Sequence, residues 1–153
     1  MSRFLLFLFS ALLIEGCQED EIEPESFVEG VLNDEPWLGE VFEVFLDEQG
    51  SLVVNASRPS TQENVEIEQV TFYIPDFQGE GTYQLETDGA LYREWISDML
   101  ITCAKSQNQG IDQVTVDSYD DTTGRIRGTI TFLAETSDSP YRFEQGTFEG
   151  VVK

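Results

Sequence analysis

The sequence contains no histidine among its 153 residues. Histidine is the usual general base near neutral pH, so its absence excludes enzymes that work through Ser-His-Asp or Cys-His groups. It also excludes nearly all of the common zinc-binding patterns. We therefore expect a protein that is not an enzyme and that carries no cofactor.

Basic residues are also scarce, with 8 Lys and Arg against 30 Asp and Glu, and the net charge is −22. Such a surface repels nucleic acid and anionic lipid headgroups. DNA-binding and RNA-binding functions are therefore excluded. Neutral glycans, cationic peptides or proteins, and divalent cations remain compatible partners, and we expect a monomer.

Long hydrophobic runs are absent except near the start, where 11 residues from Phe4 to Ile14 follow Arg3. This length suits the apolar core of a secretory signal. It is too short for a membrane helix, which needs about 20 apolar residues. We expect residues 1–16 to be a signal peptide that is removed.

Cysteine occurs twice, at Cys17 and Cys103. The small residue Gly16 before Cys17, after the apolar run, resembles the lipobox of bacterial lipoproteins. That resemblance implies diacylglycerol on the Cys17 thiol, cleavage before Cys17 and acylation (as with palmitate) of the new amine. The alternative is an ordinary signal peptide followed by an incidental cysteine. With lipid on Cys17, no disulfide can form within the chain.

Residues 17–26 form an acidic segment with one proline and almost no apolar side chains, which is typical of a solvated tether. It spans at most about 30–35 Å. Acidic residues directly after the lipidated cysteine resemble the surface-export signal of Bacteroidota lipoproteins. The resemblance implies an outer-membrane protein that faces outward; the alternative is one that faces the periplasm.

The remainder, 27–153, shows short runs of β-branched and aromatic residues separated by Gly, Asp, Asn and Pro, and no helical pattern. This pattern predicts one all-β domain, an antiparallel β-sandwich or flattened β-barrel of about eight to nine strands. Ten segments are candidates for these strands: 27–32, 40–47, 51–58, 65–74, 82–85, 91–95, 98–104, 114–119, 125–134 and a final segment after Pro140.

Two strands change the phase of their apolar positions, and a period of two changes phase only where an extra residue is inserted. The change after Ile67 predicts a β-bulge near Glu68 and Gln69. The change between Phe143 and Phe148 predicts a second bulge at 145–146.

Four cross-strand pairs follow from the pattern of the last third. The second bulge would pair Phe132 with Phe143 and would place the Phe148 ring over the bare backbone of Gly128. In the hairpin 114–134, Thr115 should face Thr129 and Asp117 should face Arg127.

Four motifs carry a resemblance to a known family: FVEGVLNDEPW at 27–37, GTY at 81–83, GRIRGTITF at 124–132 and QGTFEGVV at 145–152. Their order resembles a family of small Bacteroidota lipoproteins that contain a domain of unknown function. The resemblance implies an antiparallel β-domain on a lipid anchor. It implies no reaction.

Candidate ligand contacts are few. Trp37 and Trp95 could stack on sugar rings, although aromatic residues in β-domains usually belong to the core. Asp117, Asp120 and Asp121 could bind calcium through oxygen ligands, although aspartates are common in hairpin turns. The acidic residues are so numerous that no carboxylate pair stands out as catalytic.

The sequence therefore predicts a lipid-anchored accessory or binding module without enzymatic activity, attached to the membrane through Cys17. Two alternatives remain open. One is a lipocalin-like carrier barrel for a small apolar ligand. The other is a module that binds a neutral glycan.

Overall fold

The computed structural model describes residues 26–107 and 110–153, and within these ranges every regular element is a β-strand. The strands are β1 Phe27–Leu32, β2 Glu35–Leu46, β3 Leu52–Pro59, β4 Ile67–Ile74, β5 Gly81–Gln84, β6 Ala90–Ile96, β7 Met99–Ser106, β8 Gln113–Tyr119, β9 Arg125–Glu135 and β10 Pro140–Val151. The predicted signal peptide, Cys17 and the tether through residue 25 lie outside the described residues. No helix long and apolar enough to cross a membrane occurs in the described ranges.

Eight antiparallel strands close into a barrel, in the order β1, β2, β3, β4, β6, β7, β9 and β10, with β10 pairing back to β1. The contact between β7 and β9 is short and joins Lys105 to Glu135 and Ser106 to Ala134. The first part of β9 pairs instead with β8, and β5 extends the sheet beyond β8. The all-β antiparallel prediction is confirmed, and of its two alternatives the structure is the barrel.

The barrel interior is filled by its own side chains. Six inward-facing aromatic residues are at most 1% exposed: Trp37, Phe72, Tyr92, Phe132, Phe143 and Phe148. The Phe132 and Phe143 rings stack with their centroids 5.3 Å apart, and Trp37 meets Phe143 edge-on at 5.8 Å. An eight-stranded barrel is just wide enough for such a core. The interior is therefore a packed core.

The predicted bulge in the last strand is confirmed. The register between β9 and β10 shifts at Gln145, whose φ is 52°. Phe132 pairs with Phe143, and Phe148 pairs with Gly128. A Cβ atom added to Gly128 would lie 2.8 Å from the Phe148 ring. The ring therefore covers backbone that only glycine leaves free.

The hairpin of β8 and β9 confirms one predicted pair and corrects the other. Thr115 faces Thr129, but Arg127 faces Ser118. The register shifts between Val116 and Ser118, which leaves Asp117 in a bulge. The prediction that Asp117 faces Arg127 is wrong because it assumed an unbroken register.

This bulge has a packing consequence. Strict alternation after Val116 would turn Tyr119 toward solvent. With the extra residue, Tyr119 instead pairs with the buried Ile126, and its ring packs edge-on against Phe77 at 5.0 Å. The bulge therefore turns the Tyr119 side chain to the side of the sheet that packs against the core.

The strand β2 begins earlier than predicted. Asn33 and Asp34 have φ values of 49° and 68°, as in a two-residue hairpin turn, and Leu32 pairs with Glu35. The gap that was predicted between the first two strands, residues 33–39, is therefore confined to two residues. Trp37 consequently lies within β2, with its side chain in the barrel.

The predicted bulge near Glu68 and Gln69 is wrong. The strand β4 pairs with β3 and β6 without a register break. Glu68 lies in phase with Val70 and Phe72, and all three are 0% exposed, whereas Ile67 faces solvent at 46% exposure. The prediction failed because it assumed that an inward-facing residue must be apolar.

Candidate ligand site at the barrel mouth

A cavity of about 470 Å³ lies at one end of the barrel. The β1–β2 turn, the β3–β4 loop and the start of β10 surround it. We call this end the mouth. The charged and tyrosine side chains that line it are Glu35, Arg58, Glu68, Glu94, Tyr92 and Tyr141.

Glu68 lies at the base of the mouth and accepts hydrogen bonds from four side chains. Its Oε2 accepts from Trp37 Nε1 at 3.0 Å and from Arg58 Nε at 2.9 Å, with Arg58 Nη2 at 2.8 Å. Its Oε1 accepts from Ser60 Oγ at 2.7 Å and from Gln62 Nε2 at 3.2 Å. A carboxylate has about four acceptor positions. Glu68 is therefore saturated by the protein itself.

Arg58 is held equally firmly. It is the cross-strand partner of Glu68 in the β3–β4 ladder. Its Nη1 donates to the Pro36 carbonyl oxygen at 2.9 Å, and its guanidinium lies 5.4 Å from the centroid of the Trp37 ring. The guanidinium of Arg58 is therefore engaged by groups of the barrel wall.

The protonation state of Glu68 follows from these contacts. Burial raises the pKa of Glu68, but hydrogen bonds from Ser60, Gln62 and Arg58, together with the Arg58 charge, outweigh burial. The pKa of Glu68 consequently lies below its ordinary value. Glu68 is therefore a buried anion at neutral pH.

Glu94 is the cross-strand partner of Glu68 in β6 and is 6% exposed. Its Oε1 accepts from Tyr92 Oη at 3.0 Å and from Gln62 Nε2 at 3.2 Å. Within 26–107 and 110–153, Glu94 forms no ion pair and receives no donor at Oε2. Since no fully buried polar side-chain atom in these ranges lacks a partner, Oε2 keeps accessible surface, and Glu94 is one of the residues that line the cavity.

Two stacked tyrosines form one wall of the mouth. The Tyr92 and Tyr141 rings lie 4.6 Å apart at 28°. Burial raises the pKa of Tyr92, and the charges of Glu68 and Glu94 raise it further. Burial and the Glu94 charge also raise the pKa of Tyr141, against a hydrogen bond with Thr102. Both hydroxyl groups therefore stay protonated.

The two tryptophans suggested for sugar stacking lie in different places. Trp37 is 1% exposed and forms part of the core. Trp95 is half-buried on the outer face, where it lines a groove of about 360 Å³ with Phe42 and Glu66. Only Trp95 therefore has a ring near solvent beside a groove.

The three aspartates suggested for calcium lie in or near the β8–β9 turn. Asp120 Oδ1 accepts from the Thr122 and Thr123 backbone nitrogens at 2.9 and 3.3 Å. Hydrogen bonds from the Thr123 side chain and from both backbone nitrogens lower the pKa of Asp120. Asp121 Oδ1 accepts from Thr122 Oγ1, and Asp117 is exposed in its bulge. The described ranges contain no group of three His, Cys, Asp or Glu residues arranged to hold a metal ion.

The residues of the mouth were not singled out by their sequence context. One signal was available: strict alternation through β4 and β6 places Glu68 in phase with Val70, and Glu94 in phase with Tyr92. Two glutamates at inward positions of neighbouring strands mark a polar site inside a barrel.

Comparison with known proteins identifies the family to which the sequence is similar. A family model described as a domain of unknown function (DUF6252) matches residues 25–152. No curated protein and no solved structure matches the chain.

Proposed function

The chain belongs to the DUF6252 family of domains of unknown function, and from that premise we propose that it is a lipid-anchored surface protein whose barrel binds a ligand without catalysis. The observation that carries this proposal is the contrast between the filled interior and the open mouth. Ligand sites are typically concave and present a few fixed polar groups. The mouth has both features.

The direction of the chain supports presentation of the mouth away from a membrane. Ser26 precedes β1 at the end of the barrel opposite the β1–β2 turn. The six residues of β1 separate the two ends by roughly 17–20 Å. A tether from lipid on Cys17 would enter at the far end and leave the mouth facing outward.

The chemistry of Glu68 favours binding over hydrolysis. A glycosidase pair needs one protonated carboxylic acid and one free carboxylate. Glu68 is held ionised by a lowered pKa, and its lone pairs are occupied by donors from the protein. Glu68 therefore supports the site and is unsuited to act as an acid or as a nucleophile.

A carrier of a small apolar ligand is a second candidate, because closed eight-stranded barrels can hold one small molecule inside. Here the stack of Trp37, Phe143 and Phe132 occupies that space. A carrier function would require this stack to open. The mouth is accordingly the favoured place for a ligand.

Lipid attachment is tested by mass spectrometry of the mature protein. We expect the wild-type N-terminus at Cys17 to carry more than one acyl chain, because a single chain gives only marginal membrane binding. Cys17→Ala should lose the lipid mass and leave the membrane fraction, while Cys103→Ala should keep both. An unmodified wild-type N-terminus would contradict the anchor.

Binding at the mouth is tested with the two tryptophan indole N–H signals in the NMR spectrum of the mature protein. Trp37 Nε1 donates to Glu68 at the base of the mouth, whereas Trp95 lies in the outer groove. We expect a screen of small amines, carboxylates and neutral sugars to yield compounds that shift the Trp37 signal alone. If sugars shift the Trp95 signal and no compound shifts the Trp37 signal, the result would instead support glycan binding at the outer face and would refute the mouth as the ligand site.

A further inference from the structure

We propose that the ligand group recognised at the mouth is a primary ammonium on a short alkyl chain, and that Glu94 is its carboxylate partner. This inference rests on the proposed mouth site and names the chemistry of its ligand.

The charge of the cavity lining is unbalanced. Three carboxylates, Glu35, Glu68 and Glu94, line the mouth, and Arg58 is the one basic residue among the lining side chains. Arg58 is engaged with Glu68 at 2.8 Å. The charges of Glu35 and Glu94 are left without a lining cation, so the mouth attracts cations and repels anions.

The second carboxylate oxygen of Glu94 is the atom that a bound cation would contact. Glu94 is 6% exposed and faces Glu68 across the strand pair, where two like charges are unfavourable. Its Oε1 is occupied by Tyr92 and Gln62, and its Oε2 keeps accessible surface in a residue that lines the cavity. An ammonium at Oε2 would donate a charge-assisted hydrogen bond to that oxygen and would relieve the repulsion.

The number of free oxygens favours an ammonium over other cations. Calcium takes six to eight oxygen ligands, and the described ranges contain no group of three suitable side chains. A guanidinium binds best to both oxygens of one carboxylate, but Glu94 offers one. An ammonium donates from a single compact group and needs one charged partner.

The cavity wall suits the alkyl chain that carries such a group. Leu32 and Pro36 line the mouth beside the stacked rings of Tyr92 and Tyr141. Aliphatic carbons pack against these surfaces, and an ammonium near a tyrosine face gains cation–π attraction. Both a free alkylamine and a lysine side chain of a peptide have this chemistry.

The test titrates n-pentylamine into the mature protein and follows the Trp37 indole signal. We expect a saturable shift with n-pentylamine and none with n-pentanol or pentanoate, since these lack the positive charge. Glu94→Gln should weaken the amine affinity by about tenfold or more. A shift of equal size and affinity with n-pentanol would overturn the inference, and this comparison needs no variant.

A matched control separates local from overall charge. Glu43→Gln removes the same charge from the exposed face of β2, seven residues beyond Pro36 and about 23 Å along the strand. The affinity of Glu43→Gln should stay within about twofold of wild type, because salt screens charges at that distance. Equal losses in Glu43→Gln and Glu94→Gln would overturn the role of Glu94.

Further compounds distinguish the remaining outcomes. Tighter binding of 1,5-diaminopentane would support a free amine as the ligand, whereas tighter binding of Nα-acetyl-lysine N-methylamide would support a lysine side chain. If pentanoate or a sugar, and no amine, moves the Trp37 signal, the ammonium inference fails and the mouth site stands. If no compound moves the signal, both fail.

Discussion

Glu68→Ala is expected to lower the free energy of unfolding by about 3–5 kcal/mol, because it removes one partner of a buried ion pair. The substitution leaves the Arg58 guanidinium and the Trp37 indole N–H without their acceptor. It also frees the donors of Ser60 and Gln62. Urea denaturation of both proteins, followed by tryptophan fluorescence, measures the difference.

The control for Glu68→Ala is Glu144→Ala. Glu144 pairs with Arg142 at 3.2 Å, but these side chains are 46% and 54% exposed. Exposed pairs contribute about 0–1 kcal/mol, so this variant should unfold almost like wild type. Equal losses in the two variants would show that the Glu68 hydrogen bonds do not support the barrel.

The pH dependence of the Glu68 contribution follows from its lowered pKa. The pKa of the folded state lies below the ordinary value of 4.5, so the contribution is fully present above the unfolded pKa. It is lost as the pH falls through the folded pKa. The stability difference between wild type and Glu68→Gln should therefore shrink toward acid pH. A difference that grows on acidification would contradict this assignment.

Phe143→Ala is expected to cost about 3–5 kcal/mol, the usual range for removing a buried phenylalanine ring. The ring stacks on Phe132 and meets Trp37 edge-on. It also covers two glycines: Cβ atoms added to Gly30 and Gly146 would lie 2.8 and 2.6 Å from it. Alanine would leave a cavity beside backbone that has no side chain to fill it.

Phe42→Ala is the matched control, because Phe42 is 49% exposed on the outer face of β2. Surface substitutions usually change stability by about 0.5 kcal/mol or less, so its loss should be far smaller. Unfolding monitored by circular dichroism measures both variants. Equal small losses would indicate a loosely filled interior and would strengthen the carrier alternative.

The two buried glutamates of the mouth, Glu68 and Glu94, therefore have separate roles. Glu68 accepts hydrogen bonds from the surrounding strands and should affect stability. Glu94 keeps one oxygen open and should affect affinity. Unfolding of Glu68→Ala and amine binding by Glu94→Gln measure these roles independently.

The strands and much of their register could be predicted from the sequence, because strand signals are local. Alternation assigns each residue to one of two faces, and turn residues divide the runs. The phase change between Phe143 and Phe148 was enough to locate the bulge at Gln145, and with it the contact between Phe148 and Gly128. These features depend on residues within one hairpin.

The sequence by itself determined the all-β class, the strong negative charge and the lack of histidine chemistry. Only the tertiary structure decided that the sheet closes and that hydrogen-bond donors converge on Glu68. A buried carboxylate is stable where donors surround it, and these come from β2, β3 and the β3–β4 loop. Alternation alone cannot show that such donors converge. The site could not be predicted from the sequence because inward-facing positions of the strands were expected to be apolar.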